Sequence, residues 1–172
     1  MDVVEVPSPG PPRSAKPAGA PWSGWRGPAV AGAVAFWLAN LVVSVTPLAA
    51  AYRSAMSIAY VPMLVQAAVG GLLISSGVVL VLVRYPERAA GRGPVSRAVC
   101  LSAAALVALT VLVEVPSKLR SGVSDPGHWL AVATVFNAIR LLALGVAIGL
   151  VTRAGQAGTV PHVRVSQRGG LS

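Results

Sequence analysis

Five strongly polar side chains lie deep inside apolar sequence in this chain: Asn40, Gln66, Glu114, Asn137 and Arg140. Amides that both donate and accept, one carboxylate, and a guanidinium that keeps its charge are the parts of a pocket for an anionic or carbonyl-bearing ligand. The same groups also serve as glue between helices, at a modest ~0.6–2 kcal/mol per contact. Counting a helical rise of ~1.5 Å per residue from the outer end of each apolar stretch puts Asn40 and Gln66 roughly 15 Å deep, Asn137 about 14–17 Å and Arg140 about 18–21 Å. Three separate stretches thus bring polar groups to nearly one level, which predicts a polar layer anchored by Arg140. Asn137 and Arg140 are three apart and share a helix face. Glu114 should lie roughly 10–15 Å above Arg140. Its partner by spacing is Lys118 at i+4, with a reach toward Arg140 as the alternative. Ser75, Ser76, Thr110 and Thr134 are expected to bond the backbone of their own helices.

The elements that must position these groups are four apolar stretches at residues 28–50, 56–83, 98–116 and 128–151. Each is close to or above the ~20 residues an α-helix needs to cross ~30 Å of hydrocarbon. Mean hydropathy is +0.71 and only 11% of residues are charged, against about 25% in soluble domains. The expected fold is therefore all-α: a four-helix transmembrane bundle, up-down-up-down, within residues 28–152. Asp125 before Pro126 reads as an N-cap followed by proline at the first helical position, so the fourth helix should begin near Pro126. Pro116 is expected to end the third helix, and Pro47 to kink or end the first. The second stretch, roughly 42 Å long as one helix, should tilt or begin outside the apolar slab, with Pro62 suiting a bend in its early turns.

Orientation follows from the basic residues. Arg13, Lys16, Arg26, Arg84, Arg88, Arg92, Arg97, Arg153, Arg164 and Arg168 fall on one side of the four spans, and only Arg53, Lys118 and Arg120 on the other. The positive-inside rule then makes both termini cytoplasmic. The net charge of +9 is not organised as a basic patch interleaved with aromatics, so the expected partner is the anionic surface of a lipid bilayer and not nucleic acid. Heavy use of Arg, Ala, Val, Gly and Pro suggests GC-rich codons, hence the plasma (inner) membrane of a bacterium. Residues 1–27 carry six prolines from Pro7 to Pro21 and no apolar h-region, and read as a disordered cytoplasmic tail. Trp22, Trp25 and Arg26 should anchor the first span at the interface. Residues 153–172 read as a flexible basic tail. The single Cys100 allows no disulfide within the chain. His128 and His162 are not placed for haem, no metal-ligand spacing occurs, and no cofactor is expected. Gly145 and Gly149 form a GxxxG that permits close helix approach, within the bundle or across a homo-oligomer.

From Val113 the chain reads VEVPSKLRSGVSDPGHWLAVATVFNAIRLLALGVA. Val115–Pro116, Trp129, Asn137 and Arg140 in this stretch resemble the closing section of the anthrone oxygenase-like four-helix membrane proteins. Pro47–Leu48 is similar to that family's proline at the end of helix one. Ser117–Lys118 stand where the family has an Asn, and Trp129 is farther from Asn137 than in the family. The resemblance implies a cofactor-free, oxygenase-like enzyme acting on a hydrophobic carbonyl or phenolic compound, with Asn137 and Arg140 in its pocket. The residues read on their own imply a small polytopic membrane protein in an accessory or binding role. An oligomeric small-solute or lipid transporter is a third reading.

Overall fold

The computed structural model describes residues 24–86 and 90–157, and all regular elements within them are helical. Most of the proline-rich tail with Arg13, Lys16 and Trp22 lies outside these residues, as do Arg88 and the C-terminal stretch carrying His162, Arg164 and Arg168. In chain order the elements are α1 (Arg26–Ser44), α2 (Pro47–Ala55), α3 (Tyr60–Arg84) and α4 (Pro94–Leu109), then a π-helical turn (Thr110–Glu114), α5 (Val115–Arg120) and α6 (Pro126–Ala157). Four helices are long and apolar enough to cross a membrane: α1, α3, the continuous run Pro94–Arg120, and α6.

Their outer surface is rich in exposed apolar side chains. On α1, Val30, Val34, Leu38 and Val42 recur every four residues and are all about half exposed or more, up to 70% at Val42. In water that stripe would belong against a core. Val61, Val65, Val69 and Leu73 repeat the arrangement on α3. Arg26, Arg84 and Arg153 lie at or near the ends of α1, α3 and α6. At 32 residues, α6 is about 48 Å long and exceeds the ~30 Å of a hydrocarbon slab.

α6 packs against α1 on one side and α4 on the other, and α1 also packs against α3, whereas α3 and α4 touch only sparsely. Phe36, Val79, Ala98, Leu141, Leu144 and Ile148 make up most of the core where these helices meet. Small residues set the closest approaches. A Cβ on Gly149 would lie 2.4 Å from Val95 Cα, and one on Gly145 would lie 2.7 Å from Ser102 Oγ. Both glycines are buried against α4 of the same chain, so the GxxxG seam serves close approach within the bundle. Gly32 admits Ser75, whose hydroxyl donates to Ala29 O across the helix pair at 2.7 Å. That corrects the expectation that Ser75 bonds its own helix; Thr134 does so, to Leu130 O.

Several boundaries differ from the sequence reading. The first span stops at Ser44, and Pro47 opens the separate helix α2 instead of kinking α1. Thr46 explains this: its Oγ1 accepts from Ala49 N at 3.2 Å and donates to Val43 O at 2.7 Å, capping α2 while closing α1. Proline at N1 then costs nothing, because that N–H would have had no helical partner. Thr46→Val should remove the cap and destabilise α2 by about 1 kcal/mol, seen as faster amide exchange confined to residues 47–55. The second span begins at Tyr60, so Pro62 sits in its first turn, where the missing N–H is owed no bond. The fourth begins at Pro126 as expected, with Asp125 Oδ1 accepting from His128 N at 3.0 Å.

The third span does not end at Pro116. It runs from Pro94 to Arg120, and the ladder widens before the proline, Val115 N–H reaching back five residues to Thr110 O. A proline inside a regular α-helix removes one bond and crowds the carbonyl four residues back. A π turn spreads that defect over a wider ring.

Candidate functional site

All five polar residues singled out from the sequence line one cavity of about 480 Å³ near the α2 end of the bundle. α1 contributes Asn40, α3 Gln66, the π turn Glu114, and α6 Asn137 and Arg140. Rise per residue had assigned nearly one level to Asn40, Gln66, Asn137 and Arg140 and set Glu114 above them; the structure brings all five to one chamber.

Four of the chamber's groups form a continuous chain with Tyr52. Arg140 Nη1 donates to Asn137 Oδ1 at 3.1 Å, and Asn137 Nδ2 donates to Glu114 Oε1, also at 3.1 Å. Glu114 Oε2 pairs with Lys118 Nζ at 3.3 Å, and Lys118 donates to Tyr52 Oη at 2.6 Å. Glu114 and Arg140 are therefore bridged by Asn137, while the ion pair is the i+4 one with Lys118. Lys118, counted from sequence among exterior charges, is only 4% exposed.

α2 roofs this chamber. Tyr52 meets Trp129 and Phe136 edge-on, with ring centroids 5.9 and 6.0 Å apart, and the Lys118 ammonium lies 4.8 Å from its ring. Arg53 Nη1 donates to Ser44 O at 2.9 Å, one of the last carbonyls of α1, and its guanidinium lies 5.0 Å from the Tyr60 ring. Tyr52, Arg53 and Ser117 all line the cavity, and none was singled out from sequence as a site residue. The signal that could have found Tyr52 and Arg53 is Thr46–Pro47, the same cap-then-proline pattern as Asp125–Pro126.

Asn40 is different in kind. It is fully buried, it lines the cavity, and neither its Oδ1 nor its Nδ2 has a hydrogen-bond partner. Arg140 Nε and Thr110 Oγ1 are likewise unpartnered, which corrects the expectation that Thr110 bonds its own helix. A buried polar group left unpaired costs about 1–3 kcal/mol. Here an amide able to donate and accept sits in the wall of the cavity that Arg140 also lines.

Compared with known protein families, curated proteins and solved structures, the chain matches none.

The chemistry of the lining therefore carries the argument. Arg140, Lys118 and Arg53 stand against one carboxylate, Glu114. Both Glu114 oxygens are already engaged, by Asn137 and Lys118. A site with surplus cations, an unpaired amide and a largely apolar remainder suits a small molecule with a hydrogen-bond-accepting head on a hydrophobic body. Among the described residues no three His, Cys, Asp or Glu side chains come together to hold a metal.

Proposed function

We propose that this is a small multi-pass membrane protein that binds a lipophilic molecule by its polar head, a carbonyl, phenolate or carboxylate, in the chamber beneath α2. Asn40 carries this reading. Glue between helices accounts for Asn137, Glu114 and Lys118, which bond to one another or to Tyr52 across elements. It does not account for an amide that is fully buried and bonds to nothing. The one-sided distribution of Arg and Lys supports an up-down arrangement with both termini cytoplasmic, in a bacterial inner membrane.

Asn40→Leu separates the two roles. A near-isosteric apolar side chain removes two unmet hydrogen-bonding atoms, so the melting temperature in detergent should stay equal or rise. Native mass spectrometry from nanodiscs should show loss of a co-purifying small molecule. A melting temperature several degrees lower would make Asn40 a packing element and sink the reading.

An oxygenase-like enzyme is the second reading. Its support is that Asn137 and Arg140, two of the residues carrying the resemblance, line the chamber together. It requires oxygen uptake with an anthrone as probe, abolished in Arg140→Leu while the protein remains inserted and folded.

A further inference from the structure

One side of the bundle is not closed. α3 and α4 touch far less than the other neighbouring pairs of long helices, and between them runs a groove of about 380 Å³. No hydrogen-bonding side chain lines it. Ile74, Leu109 and Val113 belong to the walls of both this groove and the polar chamber, so the two spaces adjoin across these three side chains. The chamber side holds the fully buried, unpartnered Asn40.

Small residues keep the groove open. Gly77 faces Ala105 and Ala108 across it. A Cβ on Gly77 would meet nothing within 4 Å, whereas one on Gly71 would lie 2.8 Å from Phe36 Cδ1. Close helix approach therefore explains glycine at 71 and not at 77. Glycine inside a helix is disfavoured relative to alanine, so position 77 gives up helix stability without a packing contact that requires it.

We propose that the groove between α3 and α4 holds the hydrocarbon tail of the ligand whose head occupies the chamber, and that the ligand enters sideways from the bilayer between these helices. This rests on the chamber reading above. A tail there stays among apolar side chains while the head leaves lipid for Asn40 and Arg140. The occupant is thus a single-tailed amphiphile with an accepting head.

Palmitate carrying a terminal diazirine tests this in phosphatidylcholine nanodiscs. After irradiation, labels on the intact protein should map to the groove segments of α3 and α4. Gly77→Leu should cut that labelling about tenfold with no loss of thermal stability, since its side chain projects into open space. Asn40→Leu should cut it as well. If Asn40→Leu removes the labels and Gly77→Leu leaves them at wild-type yield, the groove proposal fails and the chamber reading stands. If only Gly77→Leu removes them, the groove takes bulk lipid chains independently of the chamber, and both readings fail. Unchanged labelling in both variants also overturns both.

Discussion

Lys118→Met is expected to destabilise the detergent-solubilised protein by about 3 kcal/mol, the scale on which removing one partner of a buried ion pair acts. Lys118 is buried at the junction of three elements: on α5 itself, it pairs with Glu114 of the π turn, donates to Tyr52 of α2, and lies over the ring of that tyrosine. The methionine replaces the stem but leaves the Glu114 charge with Asn137 as its remaining partner. The roof should loosen with it, because α2 is otherwise held by the Arg53–Ser44 bond and by aromatic edges. Denaturation of the double variant Lys118→Met/Glu114→Gln is the decisive comparison. Neutralising the carboxylate should recover most of the loss, since the penalty comes from an uncompensated charge. A double variant no better than the single would show that packing of the lysine stem, not charge, holds the site.

Gly149→Ala is expected to destabilise by about 3 kcal/mol, at the upper end of overpacking effects. The added carbon would lie 2.4 Å from Val95 Cα. A backbone atom cannot rotate away, so α4 and α6 must separate along the seam where they pack most closely. Gly70→Ala provides the contrast, because its Cβ meets nothing within 4 Å. There the change should stabilise by up to about 1 kcal/mol through helix propensity alone. Melting curves of the two variants, identical in chemistry and opposite in sign, check both statements.

Much of this architecture was readable from residue order, for a physical reason. Hydrocarbon imposes a length and a polarity on whatever crosses it, so four apolar stretches announce four spans. That these groups belong together was readable too, since rise per residue is fixed; Asn40, Gln66, Asn137 and Arg140 could be assigned one level before their shared cavity was known. The i+4 pairing of Glu114 with Lys118 followed from helix geometry in the same way. What stayed hidden depends on rotation about the helix axis and on short elements. α2 is nine residues long and follows apolar sequence, so Pro47 read as the end of something and not a beginning. Lys118 and Arg53 read as exterior charges because charge counting ignores where a long side chain folds back. Ser75 read as satisfied locally because its actual acceptor, Ala29 O, becomes reachable only through the absence of a side chain at Gly32.

The π turn ahead of Pro116 has a consequence at the level of the gene. It holds one residue more than the surrounding helical pitch requires, and loss of the codon for Val111, Leu112 or Val113 would close that excess into regular α-helix. The residues beyond it would keep their places around the axis, because the wide turn takes up the extra residue locally. Glu114 and Lys118 would go on facing Asn137 and Tyr52, while Pro116 would crowd the carbonyl one turn back in an unrelieved helix. The inserted amino acid thus accommodates the proline, and the site downstream is indifferent to it.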